Sequence, residues 1–260
     1  MGCCAAPKPP RYRLIVNADD FGRTAEVNQC IAAAHRGGIV TAATLTGNGA
    51  AFDQAVELAK ATPTLDVGCH LVLIQGESLR EHGRALPATL RELVVALGLR
   101  RIDPYEEMVA QVRRIARAGI RPTHLDTRQH THLLPPVLDA VVRIAHEFRI
   151  PWVRRPFDYA VDPAASVTAG ALAMGMRATG PMLARALSGL RSTDHFAGIQ
   201  MAGEMDERRL TRTLEHLPTG LTELMWRPER EDAETRALTS GAVREVIARR
   251  EIALVNYRGW

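Results

Sequence analysis

Asn17-Ala18-Asp19-Asp20-Phe21-Gly22 places two adjacent carboxylates at the end of the apolar run Leu14-Ile15-Val16. One carboxylate of such a pair can bind a cation while its neighbour accepts a proton from water. Side chains of a strand alternate between faces, so both acids reach one place only if the strand ends near Asp20 and the chain turns at Gly22. The purely structural counterpart is an Asp-Asp pair capping a helix that begins near Thr24. His70 stands inside Val67-Gly68-Cys69-His70-Leu71-Val72-Leu73, a stretch that reads as a buried strand. An isolated histidine there would commonly donate to a carbonyl. Packing explains Thr123-His124-Leu125-Asp126-Thr127-Arg128-Gln129-His130-Thr131-His132 less well, because four ligand-type side chains crowd into nine residues. Imidazole and carboxylate together suit Zn, Mn, Fe or Ni.

These residues need a scaffold that brings distant segments together. Apolar runs predict strands at 13–17, 39–46, 66–73, 121–126, 151–155, 195–201, 221–226 and 252–256. Helices fit between them at 25–36, 51–61, 104–118, 135–148, 206–216 and 233–249. That alternation predicts parallel strands with crossover helices. Asp19 and Asp20, His70 and the His124–His132 cluster then all fall at or just after strand C-termini, the face that holds the active site in barrels of this kind. Residues 74–103 read as an insertion covering the strand ends, and 163–191 as a packing helix pair or a homodimer surface.

Composition narrows the partners. A chain of 260 residues is of ordinary length for one (β/α) barrel over 11–260, preceded by a flexible tail at 1–10. The formal charge of +4 comes mostly from scattered arginine. Arg100-Arg101, Arg113-Arg114 and Arg154-Arg155 lack interleaved aromatics, so they read as solvated helix faces and predict no nucleic-acid surface. Cys3, Cys4, Cys30 and Cys69 show no CxxC spacing, and reduced thiols in a cytoplasmic protein are expected. Cys69 should face away from the neighbouring His70. No apolar stretch reaches the ~20 residues of a membrane span.

Taken in order, NADDFG, GCHLVL and THLDTRQHTHLLP resemble the YdjC-like carbohydrate deacetylases, among them chitooligosaccharide deacetylases and a hopanoid-associated type. Further matching stretches are Gly38-Ile39-Val40-Thr41, His195-Phe196-Ala197-Gly198-Ile199-Gln200 and Gly220-Leu221-Thr222-Glu223-Leu224-Met225. The resemblance implies a distorted (β/α) barrel that removes an acetyl group from an N-acetylated amino sugar, or from a glycolipid-linked one. It also implies one divalent cation, Mg or Zn first, with Mn, Co or Ni as further candidates. Asp20 and His70 match the metal ligands, and Asp19 matches the base that takes the water proton. His132 and His195 are candidates for the acid that protonates the leaving amine. His124, Asp126, Arg128, Glu223 and Arg227 are assigned to the substrate or to supporting hydrogen bonds.

Two positions depart from the family pattern. Arg128 stands where the third ligand, a histidine, is expected, and Arg227 replaces a histidine after Glu223-Leu224-Met225-Trp226. A guanidinium has no lone pair to offer a metal. Held about 4 Å from a divalent ion, it is repelled by roughly 8 kcal/mol at an effective dielectric near 20. The expected outcome is that Arg128 turns outward and His130 or His132 fills the vacancy, with His130 as third ligand. A two-ligand site, or an Arg128–Asp20 pair in place of the metal, are the other arrangements. A catalytically impaired relative that binds a sugar or a protein partner is the rival functional reading. A glycosidase built on Asp19 and Asp126 would leave the histidines unexplained.

Overall fold

The computed structural model describes residues 10–160, 165–229 and 233–259. Its strands are β1 (Tyr12–Phe21), β2 (Ala42–Thr46), β3 (Asp66–Leu71), β4 (His124–Thr127), β5 (Trp152–Val153), β6 (His195–Ala197), β7 (Gly220–Trp226) and β8 (Ile252–Leu254). Between them lie helices α1 (Ala25–Gly37), α2 (Phe52–Ala61), α3 (Leu90–Gly98), α4 (Pro104–Arg117), α5 (Pro135–Glu147), α6 (Val167–Ala178), α7 (Gly180–Ala186), α8 (Glu207–Glu215), α9 (Ala233–Leu238) and α10 (Gly241–Arg249). Local signals set several boundaries. The hydroxyl of Thr24 accepts from the Val27 amide to start α1, and Asp103 accepts from the Tyr105 and Glu106 amides with Pro104 in the first helical position of α4.

All named strand pairings are parallel, in the order β5-β4-β3-β2-β1-β7-β6, with β8 beside the first residues of β1. The sheet curls into a half-barrel with helices on its outer face. Only isolated bridges, Trp152 to Arg191 and Asp158 to Phe196, link the β5 side to the β6 side. The expected distorted (β/α) barrel is the fold observed. Residues 1–9 of the expected tail lie outside the described residues.

Alternation along the strands builds two cores. Leu14, Val16, Ala18, Cys69 and Leu125 join the large cluster under the helices, whereas Ile15, Ala42, Trp152 and Leu221 meet Tyr257 in a small cluster inside the curl. The inner positions farther along the same strands are polar: Asn17, Asp19, Thr44, His70, Asp126 and Glu223 are all buried. A strand presents alternate residues to one face, so an inner face that is apolar at its start and polar at its end concentrates charge at the strand C-termini.

Some expected boundaries are corrected. The insertion 74–103 contains α3, capped by Thr89, whose outward face shows Leu90, Val94, Val95 and Leu99. The single helix expected over 233–249 is two, because Ser240 caps a fresh helix at Gly241 by accepting from the Val243 amide. No helix among the described residues is long and apolar enough to cross a membrane.

Candidate active site

Backbone geometry lets neighbouring acids share one end of the sheet. Asp20 adopts φ 66, and the pairing of β1 with β2 shifts register between Ala18 and Phe21. This left-handed residue breaks the alternation that would otherwise send Asp19 and Asp20 to opposite faces, and Asp is among the side chains that tolerate it. Gly22, at φ 90, completes the turn, and its amide donates to Asn28 Oδ1 at 2.7 Å.

Arg154 is the centre of the inner charge network. It follows Val153 directly and is 3% exposed, which corrects the expectation that Arg154 belongs to a solvated helix face. Its Nη1 and Nη2 donate to the two oxygens of Asp19 at 2.9 and 2.7 Å. Nη2 also meets Asp126 Oδ2 at 2.8 Å, and Nε donates to Glu223 Oε1 at 2.7 Å. Three strands thus supply one guanidinium with three carboxylates. Burial opposes ionisation of Asp19, but Arg154 overrides it and holds that carboxyl well below the usual carboxylate range. Burial wins at Asp126 and Glu223, whose carboxyls are pushed up. Asp19 is therefore the carboxylate held most firmly in its ionised form, with a fixed orientation.

His70 bridges the two acid positions. Its Nδ1 pairs with Asp126 Oδ1 at 2.7 Å, and its Nε2 lies 3.6 Å from Asp20 Oδ1. Burial works against protonation of His70, yet Asp126, with Asp19 and Asp20 behind it, raises its pKa above the ordinary value. Asp20 itself is held from the other side. Arg128 Nη2 donates to Asp20 Oδ1, and Arg23 Nη1 donates to Oδ2 at 3.1 Å. The expected outward turn of Arg128 is thus corrected: its guanidinium points inward and pairs with Asp20.

The donor set can be tested against a divalent cation. Among the described residues, Asp19, His70 and Asp126 form the one group of metal-ligand type whose ligand atoms lie within 4.8 Å of one another. The expected set of Asp20, His70 and His130 is not drawn together in this way. In the group that does form, Arg154 already donates to Asp19 and Asp126, and His70 Nδ1 is taken by Asp126. At Asp20 the guanidinium of Arg128 stands on the oxygen that faces His70. As arranged, these residues do not fit an added ion.

The remaining histidines divide by their hydrogen bonds. His124 is enclosed at the base, with Nε2 on Asn17 Oδ1 at 2.9 Å, Nδ1 on Thr123 Oγ1 at 2.8 Å and its ring stacked 3.8 Å from that of Tyr257. Gly68 makes room for it, since a Cβ there would lie 2.6 Å from the imidazole. His132 has both ring nitrogens engaged, Nδ1 by Thr127 Oγ1 at 2.7 Å and Nε2 by the Arg154 carbonyl at 3.2 Å. Burial and the Arg154 charge hold its pKa down to about 3, so it is neutral and spoken for, which leaves the acid role expected of His132 without a donor. His130 differs: its Nδ1 is buried without a partner.

His195 lies away from this network. His195 pairs with Thr222, four residues before the Trp226 level that adjoins Ala18, so it sits roughly 13 Å down the strands at ~3.3 Å per residue. Its neighbour Phe196 lies beside Arg154, so alternation turns His195 to the other face, where Nε2 meets the Thr219 carbonyl at 3.1 Å. Neither the level nor the face serves the expected acid role. Arg227 is exposed just beyond β7. Arg154 is the residue that sequence reasoning missed, and the signal for it is a charge placed directly at the end of an apolar strand and followed by Pro156 two residues later.

A half-barrel whose C-terminal strand ends gather buried acids, histidines and arginine defines the class of this protein. Over residues 13–250 the chain matches the family described as YdjC-like protein, and it belongs to that family. A carbohydrate deacetylase of Brevibacillus brevis is 40% identical over 151 residues, which is 56% of this chain and 60% of that protein. One of Geobacillus stearothermophilus is 40% identical over 149 residues, 55% of this chain and 59% of that protein. The matches thus span about three fifths of the length of these relatives. A solved structure from Enterococcus faecalis, described as a candidate cellobiose-phosphate cleavage protein, aligns with a TM-score of 0.72 at 24% identity, covering 96% of this chain and 98% of that one. This last likeness concerns the fold.

Proposed function

We propose that this chain is a hydrolase that removes the acetyl group from an N-acetylated amino sugar, either in an oligosaccharide or linked to a glycolipid. The observation that carries the reading is Asp19: a buried carboxylate, kept ionised and oriented through both oxygens by Arg154, at the strand ends. Membership of the YdjC-like family and relatives named carbohydrate deacetylase support the same reading.

In this proposal Asp19 takes a proton from a water molecule as the oxygen attacks the acetamide carbonyl carbon. Arg154 keeps the carboxylate aimed during that transfer, and Glu223 and Asp126 keep Arg154 in place. The oxyanion that forms needs donors directed at it. Collapse breaks the C–N bond, and the nitrogen leaves with a proton. Asp19, which holds the water proton after the attack, is the group placed to return it, because burial and the Arg154 charge keep the His130 imidazole well below its ordinary range and without a proton to give.

Acetate release from a panel of acetamido-sugar oligosaccharides and glycolipids tests the reading. Release by the wild type and its loss in Asp19→Asn are expected. Sugar binding without any acetate release across the panel would replace the hydrolase with a binding protein.

A further inference from the structure

Asp20 Oδ1 faces two groups at once. His70 Nε2 lies 3.6 Å away, too far for a hydrogen bond and close enough for two ligand atoms to share one ion. Yet Arg128 Nη2 is in hydrogen-bond contact with that same oxygen, and Arg23 Nη1 takes the other oxygen at 3.1 Å. Each oxygen of the carboxylate is thereby met by a guanidinium group.

We propose that Arg128 is the resident cation of this site: its guanidinium takes the position of a divalent ion on Asp20, so the wild-type chain has no metal seat between Asp20 and His70.

Charge supports the exchange. Four buried carboxylates, Asp19, Asp20, Asp126 and Glu223, face three guanidinium groups, those of Arg23, Arg128 and Arg154. One negative charge is left for His70, which pairs with Asp126, to offset when it carries a proton. A divalent ion added beside Arg128 would make the cluster positive, whereas an ion that replaces Arg128 would not. Cation and guanidinium are therefore alternatives at this position.

The backbone commits the side chain to that place. Arg128 follows the last residue of β4, and the next two residues, Gln129 and His130, have φ 51 and 54. Two successive left-handed residues that are not glycine are costly, and they persist where surrounding packing enforces them. The turn folds the 128–132 segment back so that His132 reaches Thr127 and the Arg154 carbonyl. Arg128 is carried inward by the same turn, and its side chain is 13% exposed. A solvent-seeking arginine on a surface loop would be placed otherwise.

The inference concerns the same site as the proposed hydrolase but does not depend on turnover, because metal occupancy is read directly. The full chain and the variants His70→Ala, Arg128→His, Arg128→Gln and Arg128→His/His70→Ala would each be incubated with Zn, Mn, Co, Ni and Mg. Desalting, elemental analysis and melting temperature with and without ion would follow. Wild type is expected to retain no stoichiometric metal and to melt at the same temperature in all ions. Arg128→His should retain about one equivalent, with a higher melting temperature in the bound ion, and the double variant should lose both effects. Arg128→Gln, which keeps the volume and removes the charge, should show an ion-dependent rise even if Arg128→His folds poorly. Stoichiometric metal in the wild type that His70→Ala removes would overturn the proposal. So would the absence of any metal gain in both Arg128→His and Arg128→Gln.

Discussion

Asp19 and Asp20 are neighbours in the chain and each ends on a guanidinium, yet the two pairs are built differently. Arg154, with a side chain 1% exposed, rises from the end of β5 and ties Asp19 to Asp126 and Glu223. Arg128 comes from a left-handed turn, is 13% exposed and pairs with one carboxylate, that of Asp20, which Arg23 also contacts. The first arginine is part of the frame, because three carboxylates from β1, β4 and β7 would be left buried and uncompensated without it. The second occupies a position that a different cation could fill. Adjacent residues can thus carry one fixed and one exchangeable charge pair, and the difference lies in how many partners each arginine serves.

Arg154→Met should be the harshest test of that contrast. Loss of a buried ion-pair partner costs on the order of 4 kcal/mol, and urea denaturation should show a loss of that size or outright failure to fold. A loss within the range of a surface pair, under about 1 kcal/mol, would mean that Arg154 is not the frame. Asp19→Asn comes next, on activity: acetate release should fall by roughly 10²–10⁴-fold while the fold survives. Turnover that persists in this variant would move the base elsewhere.

Arg128→Met should cost less, about 2 kcal/mol for a single charged hydrogen bond. Equal losses for Arg128→Met and Arg154→Met in the same denaturation series would erase the distinction between the pairs. A weaker effect is expected on the pH dependence of stability. His132 titrates near 6.5 when unfolded but only at about 3 when folded. Between those values the unfolded chain binds the extra proton, so stability falls as pH is lowered from 6.5 toward 3, by at most ~1.4 kcal/mol per pH unit from this group. His132→Gln should flatten that slope, and denaturation midpoints measured across the range would show whether it does. The smallest effect belongs to Arg227→Ala. This exposed residue should change stability by no more than about 0.5 kcal/mol and leave acetate release at the wild-type level; a tenfold fall would bring Arg227 into the site.

Periodicity made much of the scaffold legible. Leu14-Ile15-Val16 and Val67 to Leu71 are strands because apolar runs of that length bury on both faces of a parallel sheet, and Thr24 and Asp103 mark helix starts because their side chains satisfy orphan amides. Residue types likewise singled out Asp19, Asp20, His70 and Asp126, which do converge. Partner choice was not legible in the same way. His132 and His124 carry the same imidazole as His130, but hydrogen bonds with Thr127 and the Arg154 carbonyl, and with Thr123 and Asn17, use up their nitrogens, and those partners are known only once strands are in register.

Strand and helix pattern, the family and the pool of ionisable residues follow from local chemistry, since apolar spacing and side-chain type are properties of short segments. Which charge meets which is a property of the folded chain. A buried arginine is stable only if carboxylates arrive from elsewhere, and Arg154 meets Asp19 across a separation of 135 residues. Arg128 meets Asp20 across 108, and no local pattern distinguishes that pairing from an arginine pointing into solvent. The curl of the sheet, the left-handed turns at Asp20 and at Gln129-His130, and the burial they produce decide it, because the strength of an ion pair depends on distance and dielectric, and tertiary structure sets both.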